Sequence, residues 1–131
     1  MNAIAMNRPE KINTPKRMDI YYVDLRGGSA GSEQSGIRPC LILQNNIGNR
    51  FSPTTIIVPF STASAKAKIP THISVRNEES GLPFDSILLF EQIRVVDEYK
   101  LMDRVGRITD EVKIREIENA LLISVGIDYK L

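Results

Sequence analysis

The stretch Gly31-Ser32-Glu33-Gln34-Ser35-Gly36-Ile37-Arg38-Pro39 runs directly into Cys40-Leu41-Ile42-Leu43, and this junction decides how the chain folds. Its first part is polar and punctuated by glycine; its second is continuously apolar. Pro39 biases the backbone of Arg38 toward extended geometry, so a strand is expected over residues 39–44. An apolar run of that length predicts a strand covered on both faces. Upstream, residues 19–25 (Asp-Ile-Tyr-Tyr-Val-Asp-Leu) are rich in β-formers and read as a first strand. The glycine-rich segment 27–36 between the two is too long for a tight hairpin turn. A polar loop hung between strands sits at a sheet or barrel rim, where function concentrates. Arg38 is then a planar guanidinium presented from a strand start, which suits phosphate recognition. The plainer alternative is a surface ion pair with Glu33.

Further along, residues 45–53 hold the turn residues Asn-Ile-Gly-Asn and Ser-Pro. Strands are expected over 54–60, 71–75, 86–89 and 92–96, with a polar turn at 76–83 and a last short strand at 104–108. Residues 97–102 suit one short helical turn. The period then changes. Thr109 or Asp110 can cap a helix, Asp110 and Glu111 are acids suited to its first turn, and Gly126 fits its end. Ile114, Ile117, Leu121 and Val125 recur at helical spacing and predict a core-facing stripe. Many short strands plus one terminal helix give a mainly β fold with added helices, a small twisted or barrel-like domain.

At 131 residues the chain is expected to form one domain over 18–131, preceded by a flexible polar tail over 1–17 carrying Pro9 and Pro15. That tail lacks the continuous apolar core of a signal peptide, and no stretch approaches the ~20 apolar residues of a membrane helix; a cytoplasmic protein is expected. The net charge of +1 gives no broad basic field, so any nucleic-acid site must be a local patch. The single cysteine, Cys40, rules out an intrachain disulfide, and its apolar setting reads as a buried inert thiol. The single histidine, His72, is expected to be structural, and it excludes a two-histidine ribonuclease mechanism within one chain. There is no Cys/His zinc pattern, P-loop, dinucleotide fingerprint or serine nucleophile elbow, and no carboxylate spacing marks a two-metal site.

The ordered series Gly31 to Pro39, Gln44-Asn45-Asn46-Ile47-Gly48-Asn49-Arg50-Phe51-Ser52-Pro53-Thr54, Ile56-Ile57-Val58-Pro59-Phe60-Ser61-Thr62, Lys68-Ile69-Pro70-Thr71-His72 and Leu88-Leu89-Phe90-Glu91-Gln92-Ile93-Arg94 resembles the MazF/PemK toxin endoribonucleases. The resemblance spans roughly residues 17–127. It implies an SH3-like small barrel with a C-terminal α-helix, and a type II toxin that cleaves single-stranded RNA, mRNA in particular, at specific sequences and so blocks translation. It also implies a homodimer and a cognate antitoxin whose acidic, disordered segment folds over the RNA groove. No cofactor, membrane or direct DNA contact is expected.

For RNA, the 2′-hydroxyl serves as an internal nucleophile, leaving a 2′,3′-cyclic phosphate and a 5′-hydroxyl. The enzyme must then hold in-line geometry, stabilise charge on the phosphorane oxygens and assist proton transfer. The resemblance assigns the functional arginine to Arg38. It assigns the hydroxyl to Ser61, where the family usually has threonine, with Thr62 adjacent as a substitute. Glu33 corresponds to the acidic residue of the Ser-Glu-Gln loop, for proton transfer or orienting Arg38. Ser32, Gln34, Thr62 and Gln92 correspond to RNA contacts. Lys66 and Lys68 are candidate backbone contacts. Phe51 and Tyr22 are aromatic enough to stack on bases, but core packing is the expected role. Met18, Arg26-Gly27-Gly28 and Ser35 depart from the family pattern and bear on the preferred RNA sequence. The alternative from another class is a non-enzymatic toxin of the same fold that binds and poisons DNA gyrase.

Overall fold

The structure, a computed structural model, describes residues 13–27, 31, 35–62 and 69–128. Strand β1 (Asp19–Asp24) pairs antiparallel with β2 (Ile37–Ile42), with Val23 opposite Arg38. β2 pairs with β3 (Thr54–Ser61), with Cys40 opposite Pro59. β3 is the hub. Its last residues, Phe60 and Ser61, pair with β5 (Ser86–Leu89), which pairs with β4 (His72–Val75). Its first residues pair with β6 (Arg94–Asp97), and β7 (Leu101–Arg107) pairs with β1. The order is β4-β5-β3-β2-β1-β7, with β6 alongside β3.

Side-chain alternation sorts the strands into two clusters. One side of β2 gives Cys40 and Ile42, which join Val23, Leu25, Ile57 and Val96, with Tyr21 and Leu101 packed against them. These residues come from β1, β2, β3, β6, β7 and the residue after β1, so the sheet curls around them. It does not close, because β6 and β7 record no ladder with each other. The other side of β2 gives Leu41, which joins Ile20, Val58, Phe60, Leu88, Phe90, Ile117 and Ala120. The strand expected to be covered on both faces is covered on both: Cys40, Leu41 and Ile42 are fully buried. The mainly β, barrel-like expectation therefore holds.

The terminal helix, Glu111–Ser124, starts as expected, with the Asp110 carboxylate accepting from the Lys113 N–H at 2.9 Å. It ends before Gly126, which takes the left-handed conformation at φ +82°. Ile117 is buried and Ile114 and Leu121 pack on the core, but Val125 is 62% exposed. Val125 is the cap residue at φ −105° and ψ 11°, so its backbone has left the helical path and the spacing no longer aims it at the core.

Other expectations are corrected. Residues 45–53, read as turns, hold helix α1 (Asn46–Phe51), capped by Asn45, whose side chain accepts from the Gly48 N–H at 2.8 Å. Asn49 anchors it from inside: its side chain donates to the Gln44 carbonyl at 3.0 Å and accepts from the Thr55 hydroxyl at 2.8 Å. This buried network overrides weak helix propensity. The polar turn at 76–83 contains helix α2 (Asn77–Ser80), so the terminal helix is α3. β2 starts at Ile37, and Leu43 and Gln44 both donate to the Ile56 carbonyl, which takes the chain out of the ladder. The sixth strand begins at Arg94, after a 3₁₀ turn over Phe90–Gln92, and the last strand begins at Leu101, after another over Glu98–Lys100.

Of the expected tail, the described residues 13–17 contact the domain. The Arg17 guanidinium donates to Glu118 at 2.7 Å and the Arg17 N–H to Asn46 at 2.8 Å. No helix among the described residues is long and apolar enough to cross a membrane.

Candidate active site

The candidate pair stands on two paired strands, β2 and β3. Cys40 lies opposite Pro59 in the antiparallel β2–β3 register, and stepping two residues outward on each strand carries Arg38 toward Ser61. Alternation gives the same face to both. Val58 and Phe60 belong to the helix-side cluster, so Ser61 shares the inner side with Ile57. Arg38 shares that side with Cys40. Arg38, at the start of β2, and Ser61, at the end of β3 where it pairs with Ile87 of β5, thus lie toward the same end of the curled sheet and on its inner side. The Arg38 Nε–H donates to the Ser35 carbonyl at 2.7 Å, so the loop's own backbone orients the guanidinium plane.

A second guanidinium lies at this mouth. Arg94 is opposite Ile57 across the β3–β6 ladder. Its neighbour Val95 is 58% exposed whereas Val96 is 4% exposed, so Arg94 and Val96 share the inward side. Gln92 ends the turn just before it, and Glu91, Gln92, Ile93 and Arg94 line a hollow of about 200 Å³. Sequence reasoning assigned Arg94 no role. The available signal was its phase: an arginine two residues from a core valine in a strand points inward, where cations are rare unless they are partnered.

Cys40 reports on both arginines from below. Burial pushes its thiol up to about 12, against the opposing pull of Arg94 and Arg38. The thiol is therefore neutral at physiological pH. Native protein treated with iodoacetamide at pH 8 is expected to stay unlabelled at Cys40 and to label fully once unfolded in guanidinium; rapid native labelling, read by mass spectrometry, would show that the thiol is neither buried nor neutral.

Thr62 follows β3 directly and is exposed, on the opposite phase from Ser61. Gln92 is half-buried at the same mouth. Ser32, Glu33, Gln34, Lys66 and Lys68 lie outside the described residues, and with Glu33 so does the alternative of a surface pairing with Arg38. His72 stands in β4 with Nε2 2.9 Å from the Glu91 carboxylate, a hydrogen-bonded position in keeping with a structural role. Tyr22 packs against the helix-side core, as expected of it, and Phe51 is half-buried at the end of α1.

Residues 16–125 match the family described as "PemK-like, MazF-like toxin of type II toxin-antitoxin system". The chain is 43% identical over 112 residues to "Endoribonuclease EndoA" of Bacillus subtilis (strain 168), a match covering 86% of this chain and 95% of that protein. Among solved structures it resembles an "Endoribonuclease from Mycobacterial species", with a TM-score of 0.73, 24% identity, and coverage of 92% of this chain and 100% of the other. It also resembles MazF from Deinococcus radiodurans, with a TM-score of 0.71, 19% identity, and coverage of 88% and 100%. At those identities the two structures bear on the fold alone. The family match and the Bacillus relative, each spanning most of the chain, show that it belongs to the PemK-like, MazF-like toxins of type II toxin–antitoxin systems.

Proposed function

We propose that this toxin is a sequence-specific endoribonuclease that cleaves single-stranded RNA, mRNA in particular, without a metal ion, and so inhibits translation and growth. The observation that supports the reading is the β2–β3 register, in which Cys40 lies opposite Pro59 and the next same-face residues toward that end are Arg38 and Ser61. The name of the Bacillus relative supports it.

The RNA 2′-hydroxyl attacks the adjacent phosphorus, and the 5′-oxygen of the next nucleotide leaves. The phosphorane carries extra negative charge on its non-bridging oxygens, and the Arg38 guanidinium donates to them through its planar fork. Arginine, with a pKa above ~12, is a poor general base, so its role is charge stabilisation. The Ser61 hydroxyl donates a hydrogen bond to the same phosphate and fixes the in-line geometry. Its inner phase favours it over Thr62. Glu33 assists proton transfer or orients Arg38, and Ser32, Gln34, Thr62 and Gln92 contact the RNA. Unstacked bases are read by such polar side chains. Among the described residues no three His, Cys, Asp or Glu side chains gather at one point.

The chain acts as a homodimer, silenced by a cognate antitoxin; one fold relative was solved as "Endoribonuclease in complex with its cognate antitoxin from Mycobacterial species".

The test is cleavage of a long RNA by EDTA-treated protein, with mapping of the product ends. Discrete cuts bearing cyclic-phosphate ends are expected, with Ser61→Ala losing roughly 10²-fold in rate and Thr62→Ala less than tenfold. Intact RNA after exposure to clean wild-type protein would end the enzyme reading and direct attention to gyrase binding.

A further inference from the structure

At the other end of the curled sheet lies a second concave surface, a cavity of about 540 Å³ lined by Asn13, Thr14, Lys16, Asp19, Tyr21, Arg50, Arg104 and Arg107. Asp19 and Val23 stand four residues apart on β1, and Val23 is the partner of Arg38. At ~3.3 Å per residue the two mouths are separated by roughly 13 Å along the strand.

The cavity is built by an irregularity. On β7, Ile20 faces Gly106 but Tyr21 faces Arg104, so Val105 is an extra residue and the register shifts there. In a regular strand, residues three apart point to opposite faces. The bulge instead turns Arg104 and Arg107 to the same side, the usual way a bulge re-aims a side chain. Both reach the Asp19 carboxylate, Arg107 at 2.8 Å and Arg104 at 3.3 Å, and the Lys16 N–H donates to its other oxygen at 2.9 Å. The Asp19 side chain is only 4% exposed, whereas the Arg104 and Arg107 side chains are 50% and 40% exposed.

The charge count is unbalanced. Lys16, Arg50, Arg104 and Arg107 bring four positive charges against Asp19 and the Glu98 charge that acts on Tyr21, a local excess of two on a chain whose net charge is +1. Asp19 takes one donor from each of two guanidinium groups that have five N–H donors apiece. The carboxylate thus acts as a peg that holds two forks in place without satisfying them. Burial raises the pKa of Tyr21, with the Asp19 charge adding to it, so its hydroxyl stays protonated and able to donate.

We infer that this cavity binds a phosphate group, through Arg104, Arg50 and Lys16 positioned around the Asp19–Arg107 pair. A fork of N–H donors matches phosphate oxygens two at a time. The group is supplied either by a phosphodiester of an RNA strand held beyond the cleavage mouth or by a small free phosphate. The inference does not rest on cleavage, because none of these residues is placed at the Arg38 mouth.

The test uses wild type, Arg38→Ala, and the double variant Arg50→Gln/Arg104→Gln, which keeps Arg107 on Asp19 and is first checked for an unchanged melting temperature. Each is titrated at constant ionic strength with inorganic phosphate, with an uncuttable 2′-O-methyl oligoribonucleotide and with a hexaglutamate peptide, following the arginine Nε–Hε NMR signals. Wild type is expected to show saturable shifts at Arg104, and Arg38→Ala to keep the phosphate response there. The double variant is expected to lose about tenfold in affinity for the phosphate-bearing probe. A loss confined to inorganic phosphate identifies a free phosphate as the ligand. A loss for the oligoribonucleotide, with the slope of log K against log salt falling by about 1.4 for two lost contacts, identifies the RNA backbone. Equal affinities of the double variant and wild type for both probes would overturn the inference, as would tighter binding of hexaglutamate than of either.

Discussion

Replacing Arg38 with alanine is expected to lower kcat/KM for RNA cleavage by about 10³-fold while leaving the fold in place. Removing one neutral donor from an oxyanion site costs about 10²–10³; a charged, bidentate donor belongs at the upper end of that range. Arg38→Lys keeps the charge and loses the fork, so an intermediate loss of roughly 10–10² is expected. Stability should hardly move. Arg38 is half-buried at the rim, and its hydrogen bond to the Ser35 carbonyl is exposed. Surface changes of this kind stay within about 0.5 kcal/mol. Arg94, on the same inward side, remains to carry part of the charge, so activity should not reach the uncatalysed rate. Initial rates on a defined RNA, with circular dichroism of each variant, make the comparison. An Arg38→Ala protein that cut the same sites within threefold of the wild-type rate would remove Arg38 from the mechanism.

What could be read from the residues alone depended on how local the cause was. Cys40-Leu41-Ile42 announced a strand covered on both faces because no other arrangement buries three consecutive apolar side chains in extended backbone, and all three are fully buried. The Asp110 cap and Gly126 marked the ends of α3 for equally local reasons. Helix α1 was not legible, because it is held by the Asn49 side chain reaching back to Gln44 and on to the Thr55 hydroxyl of β3, a buried network that residue types alone do not announce. Arg38 and Ser61 could be named by resemblance, but that they lie toward the same end and face of the sheet follows only from the β2–β3 register. Arg94 was visible in the sequence without a role, since its position depends on the β3–β6 ladder. The Asp19–Arg104–Arg107 cluster is the least legible feature: a spacing of three in a strand predicts opposite faces, and only the bulge at Val105 reverses that.

The largest effect on stability is expected from a single added methyl group, in Gly106→Ala. A Cβ on Gly106 would lie 2.3 Å from the Ser80 carbonyl oxygen, with the Ser80 carbonyl carbon at 3.3 Å and the Gly81 Cα at 3.6 Å. The obstacle is backbone, so no side-chain rotation relieves it. Nor can the Ser80 corner retreat easily. The Gly81 N–H is bonded to the Asn77 carbonyl at 2.9 Å, Gly81 is left-handed at φ +82°, and the Ser80 hydroxyl, 1% exposed as a residue, accepts from the Leu82 N–H at 3.0 Å. β7 must move instead, and Gly106 faces Ile20 beside the bulge that sets Arg104 and Arg107 on Asp19. Forcing one carbon into a filled site of this kind costs about 3 kcal/mol, and at this chain length that lowers the melting temperature by roughly 10 °C. Gly126→Ala is the contrast. It carries a positive φ but meets nothing within 4 Å, so only the left-handed strain of ~1 kcal/mol applies. Because β7 pairs with β1 and not with β3, the fraction of Gly106→Ala that stays folded should keep its cleavage rate while losing phosphate affinity at the Asp19 cavity. A melting temperature within 2 °C of wild type would mean that β7 and the Ser80 corner have room to separate, and the tight approach at Gly106 would no longer explain how the cavity is held.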